Sequence, residues 1–373
     1  MAESFRLTDL VKATLDAFLD RQGELLDAIS PDLAPVHRAA RDLLTGGKRF
    51  RARFCYWGWR AVAAAGDEFD PMPADIAPAD RAAVITIASA LEILHAAALV
   101  HDDIIDRSAT RRGAPAAHER FASMHRDGGW AKDSDRFGAA AAILLGDLLL
   151  SWADTLFDEG ASLLGDAVAA KAAKAEFQTM RTEVTVGQYL DVLEEHSWVS
   201  RSDDDAAARA QRVVIYKSAK YSVEAPLVIG ALLAGASADQ VGALREYGVP
   251  LGVAFQLRDD MLGVYGDPAV TGKPAGDDLR EGKRTVLIAL TRAALPTSAR
   301  RFLDELLGDP ELDDEQIEML RGTIRESGAV TQLELAIGYN LERAVGALNS
   351  ARIAPGARRA LVELAEAVSR REA

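Results

Sequence analysis

The spacing of apolar residues constrains this chain more than any other feature. They recur every three or four residues almost from end to end, and no convincing run alternates with period two. Aromatic residues make up only 6% of the chain, so Ala, Leu, Val and Ile must build its interior. Ala and Leu head the helix scale, whereas strands favour aromatic and β-branched side chains. The chain therefore reads as all-α. Helices are expected over residues 7–29, 33–44, 81–106, 139–158, 164–193, 206–234, 238–265 and 285–294, with further helical segments after Ser298. Turn signals fall at 66–80, 200–205 and 308–314, and none has the composition of an interdomain linker. All 373 residues are thus expected to form one helical domain, 1–373.

A net charge of -14 argues against binding nucleic acid or an anionic membrane through general electrostatics. Any phosphate site must be a local cluster of Lys and Arg against an acidic background. Cys55 is the sole cysteine, which excludes an internal disulfide, argues against a zinc–thiolate site and suits a small buried side chain. The opening MAESFRLTDLV lacks the basic-then-apolar pattern of a signal peptide. The charge-free stretch 225–238 contains two glycines and falls short of the ~18 residues of a membrane span. A cytoplasmic protein with no transmembrane segment is expected.

Chemistry concentrates at a few places. In LVHDDIID, residues 99–106, Asp102 and Asp106 are four apart and share a helix face, with Asp103 on the flank. Clustered carboxylates repel, and a hard divalent cation such as Mg²⁺ relieves that repulsion through oxygen ligands. The apolar helix leading into them looks buried, which makes uncompensated carboxylates costly. Arg111, Arg112 and Gly113 follow at once, and guanidinium forks match phosphate oxygens. A second acidic pair, Asp259 and Asp260, ends FQLRDD at 255–260, where Gln256 and Asp260 share a face. Two such helices in a bundle can bracket a metal cluster. Gly46-Gly-Lys-Arg-Phe-Arg51 is a glycine turn opening onto cations, and Lys217-Ser218, Lys273 and Lys283 are further anion-binding candidates. His95 lies on the Asp102 face about 10 Å away, where a lone histidine more commonly serves as a core residue. The segment 266–283, rich in Gly, Pro, Asp and Lys, has the length of an active-site lid.

Taken in order, GGKRFR at 46–51, LHAAALVHDDIIDRSATRRG at 94–113, GQYLD at 187–191, KSA at 217–219, FQLRDD and GKPAGDDLREGKRT at 272–285 resemble the trans-type polyprenyl synthetase family. The resemblance spans roughly residues 40–290. It implies the isoprenoid synthase fold, a bundle of long helices around a deep cavity, a homodimer, and condensation of isopentenyl diphosphate with an allylic diphosphate (dimethylallyl, geranyl or farnesyl). By that resemblance Asp102, Asp103 and Asp106 hold Mg²⁺ bridging the allylic diphosphate, and Asp259, with Asp260 beside it, holds a further ion, about three in all. Arg111, Lys217, Ser218, Gln256, Lys273 and Lys283 would contact the allylic substrate. Lys48, Arg51, His95 and Arg112 would hold the diphosphate of isopentenyl diphosphate.

Two positions depart from the family pattern. The second acidic motif usually carries a third Asp where this chain has Gly263, and Ala52 replaces a Pro. The expected product follows from the residues before Asp102. In the family, bulky groups four and five positions upstream close the pocket; here they are Ala98 and Ala97, with Leu94 and Leu91 about 12 and 16 Å down the helix. That depth points to geranylgeranyl diphosphate, with longer chains or farnesyl diphosphate as alternatives. Rival readings are a class I terpene cyclase, against which Lys48, Arg51, His95 and the sparse aromatic content argue, and a catalytically silent partner subunit, which only Gly263 supports.

Overall fold

Long runs of Ala and Leu at helical spacing bury enough surface to make long helices when each end is given a partner. The computed structural model describes residues 2–63, 78–266, 276–350 and 352–369. Helix α1 is Ala2–Ile29, α2 Ala34–Leu43, α3 Phe50–Ala63 and α4 Pro78–Ile105. A hairpin of β1 (Thr110–Arg111) and β2 (Ala114–Pro115) precedes α5 Ala117–Asp127, α6 Ser134–Ser162 and α7 Ala167–Ser197. Then come α8 Ala206–Val213, a π-helix Val214–Glu224, α9 Ala225–Leu233 and α10 Ala238–Tyr265. The remainder is α11 Asp277–Glu281, α12 Val286–Ala294, α13 Thr297–Leu306, α14 Asp314–Glu326, α15 Ala329–Ser350 and α16 Pro355–Ser369. Side-chain caps start several of them: Asp133 accepts from Arg136 N at 2.7 Å, and Asp313 with Gln316 forms a capping box.

The described residues fall into two compact units. The first comprises 1–176, 226–237 and 353–357. Its centre is α4, packed chiefly on α6, with α3 and α1 against its other faces. Helix α3 meets α9 backbone to backbone. A Cβ at Gly58 would lie 2.0 Å from the Leu227 carbonyl oxygen, and one at Gly230 only 1.8 Å from that of Cys55. Cys55 itself is fully buried, which pushes its thiol up to about 12.

The second unit comprises 177–225, 238–352 and 358–373. Here α10 packs on α15 and on the π-helix, around a core that includes Leu257, Leu287, Leu303, Leu320 and Leu333. Tyr247 is completely buried and donates its hydroxyl to the Leu361 carbonyl at 2.7 Å. Arg284 lies 3.7 Å over the Trp198 ring and bonds Asp304 at 2.8 Å, which fixes the backbone just after Lys283.

The sequence periodicity locates α1, α2, α4, α6, α7, α10 and α12 to within a few residues. It misses α3, which is buried nearly all round and so shows no stripe, and α5, which is short and largely polar. The run expected at 206–234 is α-helical only at its ends, because its middle is π-helical. Helices α4 and α6 are also long and apolar enough to span a membrane, although both carry charged residues. In α4, 78% of that apolar window is buried within the structure, as in a core helix; in α6 the share is 44%.

Because Gly230 touches a backbone carbonyl that cannot rotate away, Gly230→Ala is expected to cost about 2–3 kcal/mol in urea unfolding. Gly242→Ala, at a helical position with nothing within 4 Å, should be neutral or slightly stabilising. Equal stability of the two variants would contradict the close α3–α9 approach.

Candidate active site

In the first unit, the turn before α3 is shaped by left-handed backbone. Gly46 and Gly47 have φ of 71° and 86°, values that cost glycine little. Arg49 follows at φ 49°, a conformation non-glycine residues seldom adopt. It is held there by burial against α4: its guanidinium reaches Glu92 at 3.3 Å and also bonds the Leu44 carbonyl. The other Glu92 oxygen accepts from Ala52 N at 3.1 Å, which places a carboxylate at the N-terminus of α3, where the helix dipole favours it. Glu92 thus ties the glycine turn to the middle of α4.

The chain reverses after α4 through a two-residue hairpin loop. Arg112 and Gly113, at φ 55° and 76°, form its corner, and Thr110 and Arg111 pair with Pro115 and Ala114. This turn brings the Arg112 guanidinium to within 3.7 Å of where a Gly47 Cβ would stand. Arg49, Arg51, Arg111 and Arg112 all act electrostatically on His95. Burial first, then these four charges, hold the His95 imidazole well below its ordinary range, so it is neutral at physiological pH. Burial also lowers Arg112, as do Arg49, Arg111 and Arg51, while Glu92 opposes them. Arg49 and Arg111 are paired with carboxylates, and the excess positive charge of the cluster favours an anion nearby. Lys48 is exposed at the turn, and Arg51 is partly buried on α3.

The first acidic motif stands at the C-terminal end of α4. The helix ends at Ile105, and Asp106 continues its pattern through Asp106 N to Asp102 O at 2.8 Å. Asp103 is 1% exposed and accepts from Arg111 Nε at 2.7 Å, while Arg111 also lies 3.5 Å from Asp102. Arg111 therefore fixes two of the three carboxylates. Behind them on the same face, Ala98 and His95 are partly exposed, whereas Leu94 and Leu91 are buried, as is Ala97 nearby.

In the second unit, Lys217 and Ser218 sit in the π-helix. Glycines on both neighbouring helices admit this wider segment: a Cβ at Gly187 of α7 would meet Lys217 N at 2.4 Å, and one at Gly252 of α10 would meet Ala219 Cα at 2.5 Å. Lys217 pairs with Asp191 at 2.5 Å. Ser218 donates to Gln256 Oε1 at 2.5 Å, and Gln256 Nε2 donates to Asp260 Oδ1 at 2.7 Å. Asp260 Oδ2 is buried without a hydrogen-bond partner. Burial, opposed by the Gln256 bond and reinforced by Asp278, Asp259 and Asp191, pushes the Asp260 carboxyl up to about 8. Asp259 is partly buried beside it, and Lys283 lies 3.5 Å from Glu281.

The structure thus gathers Lys48, Arg51, His95, Arg111, Arg112, Asp102, Asp103 and Asp106 in one unit and Lys217, Ser218, Gln256, Asp259, Asp260 and Lys283 in the other. Lys273 and half of the lid-length segment, 267–275, fall outside the described residues; α11 lies in the rest. Sequence reasoning overlooked Arg49, Glu92 and Asp191. A lone Glu in the apolar run ITIASALEIL is a buried charge that demands a partner, and that signal points to Glu92. Asp191 closes the GQYLD motif, but its pairing with Lys217 depends on the fold.

Comparison with known proteins places the chain in a family. Residues 34–324 match the Polyprenyl synthetase family model. A geranylfarnesyl diphosphate synthase of Aeropyrum pernix is 33% identical over 264 residues, which is 71% of this chain and 75% of that protein. A geranylgeranyl diphosphate synthase of Mycobacterium tuberculosis is 28% identical, covering 88% and 81%. The crystal structure of geranylgeranyl pyrophosphate synthase from Corynebacterium glutamicum, complexed with isoprenyl diphosphate and magnesium, superposes with a TM-score of 0.89 at 35% identity, covering 98% of this chain and 99% of that one. The chain belongs to the polyprenyl synthetase family and is a magnesium-dependent trans-prenyl diphosphate synthase.

Proposed function

We propose that this synthase extends an allylic diphosphate with isopentenyl diphosphate to geranylgeranyl diphosphate, using the residues assembled in its two units. The observation that carries the residue assignment is that Arg49, Arg51, Arg111 and Arg112 all act electrostatically on neutral His95, in the unit that also holds Asp102 and Asp103. Arg51, Arg112, Lys48 and His95 hold the diphosphate of isopentenyl diphosphate, with Arg49 fixing the turn. His95 being neutral, it donates one hydrogen bond without adding a fifth charge. Arg111, Lys217, Ser218, Gln256, Lys273 and Lys283 bind the allylic partner.

The donors fit magnesium. They are carboxylate oxygens, and Asp260 carries a buried oxygen without a donor. Among the described residues no three His, Cys, Asp or Glu side chains are gathered to hold a metal by themselves. That suits an ion that takes one or two carboxylates and completes its shell with water and phosphate oxygens. In the first unit Asp102, Asp103 and Asp106 would hold such ions, and in the second unit Asp259 would, with three ions per diphosphate. When bound, magnesium offsets the charge that grows on the leaving diphosphate.

The chain's own groups do the rest. As the allylic C–O bond breaks, its electron pair leaves with the diphosphate, and Arg111 and Lys217 stabilise that charge. Partly exposed Ala98, backed by buried Leu94 and Leu91, would keep water from the allylic cation. The double bond of isopentenyl diphosphate forms the new C–C bond, and the proton lost from the adjacent carbon passes to the departing diphosphate. The tail runs along α4, where partial exposure at Ala98 and His95 gives way to buried Leu94, about 12 Å from Asp102. Relatives that make C20 and C25 products support this length. We also propose a homodimer through α6, supported by exposed Ile143 and Leu144 on a helix whose apolar window is only 44% buried.

Three measurements check these readings. Incubation with Mg²⁺, labelled isopentenyl diphosphate and farnesyl diphosphate should yield C20 as the longest abundant product, and Leu94→Phe should shorten it; an unchanged profile would remove Leu94 as the floor. Arg51→Ala should raise KM for isopentenyl diphosphate about tenfold or more, with a smaller change for the allylic substrate. In sedimentation velocity, Leu144→Glu should convert dimer to monomer, and a monomeric parent would refute the dimer.

A further inference from the structure

Ala52 stands where the family pattern has Pro, and it brings a group that proline lacks, a backbone N–H. It is the third residue of α3, among the first-turn donors that find no acceptor inside a helix. The α3 ladder begins with Arg53 N bonding the Arg49 carbonyl at 2.9 Å, so the Ala52 N–H lies ahead of it. Ala52 is 0% exposed, and a buried donor left without a partner is costly. Its acceptor comes from another helix: Glu92 Oε1, on α4, stands 3.1 Å away.

The same carboxylate serves a second donor. Arg49 Nη1 reaches Glu92 Oε2 at 3.3 Å, and both side chains are buried. Glu92 therefore holds the chain at two points, one just after Lys48 and one just after Arg51. His95 lies three residues beyond Glu92 on α4, about 4.5 Å along the same face. One buried carboxylate thus relates the turn that carries Lys48 and Arg51 to the helix face that carries His95.

We propose that Glu92 is a positioning residue for isopentenyl diphosphate: through Arg49 and the Ala52 N–H it sets Lys48 and Arg51 against His95. A proline at 52 fixes its own φ and needs no acceptor, which leaves such a carboxylate only Arg49 to hold. With alanine, both oxygens are committed, and the placement of the turn depends on Glu92 at two donors. The inference rests on the assignment of Lys48, Arg51 and His95 made above.

Steady-state kinetics on the full chain, with isopentenyl diphosphate and farnesyl diphosphate varied in turn, test it. Glu92→Gln keeps the shape of the side chain but has one acceptor oxygen for two donors. It should raise KM for isopentenyl diphosphate about tenfold and leave kcat and the KM for farnesyl diphosphate within about twofold. In an Ala52→Pro background, where one donor is gone, the same change should raise it only about threefold. Glu92→Asp, one methylene shorter, should act as Gln does, and it decides the matter if the Gln variant does not fold. Parental KM in the folded variant, an equal rise for both substrates, or the same factor in both backgrounds would overturn the proposal. Arg51→Ala separates it from the reading beneath it. If Arg51→Ala raises the KM for isopentenyl diphosphate and Glu92→Gln does not, the positioning role alone is wrong; if neither raises it, the site assignment is wrong as well.

Discussion

Much of the first unit's chemistry depends on the buried ion pair between Arg49 and Glu92. Neither group is stable alone in that position. A carboxylate in the middle of apolar α4 would carry a desolvation cost of several kcal/mol, and Arg49 would have no reason to accept a left-handed backbone. Paired, they join α4 to the glycine turn and to the first turn of α3. Removing one partner leaves a buried charge, typically a loss of about 3–5 kcal/mol. The anion cluster is therefore supported by an interaction that does not itself need to touch the anion.

Both units carry groups of like charge that repel in the isolated chain. Arginines act together on His95 in one, and Asp191, Asp259 and Asp278 act together on Asp260 in the other. Partial compensation is built in: Glu92 opposes Arg112, Arg111 clasps Asp103, and Lys217 clasps Asp191. A diphosphate and a divalent cation are ligands whose charges would offset such groups. Residual electrostatic strain of this kind is how a site binds a highly charged ligand from an acidic molecule without recruiting anions everywhere else.

The sequence made much of this legible, for identifiable reasons. Helix α10 was readable to its ends because Ser237 and Gly266 frame it and its core positions repeat at helical spacing. The acidic and basic candidates were readable because charges are conspicuous in apolar surroundings. Helix α3 was not, since burial on all sides erases periodicity. Nor was the π-helix around Lys217, whose wider turn is allowed by Gly187 and Gly252, far off in sequence. Gly263 looked like a loss when read alone. A Cβ there would lie 1.9 Å from Asp278 Oδ2, fifteen residues away, a contact that only the fold reveals.

Cys55 carries a practical consequence. The chain has no other cysteine, and this one is fully buried on α3, with its thiol pushed up to about 12. Thiolate is the reactive species, so Cys55 presents essentially none to reagents in neutral solution. The protein is in effect silent toward maleimides and spin labels as it stands. A cysteine introduced at any exposed position becomes the sole target, which makes the unaltered background ready for fluorescence or electron-resonance distance measurements.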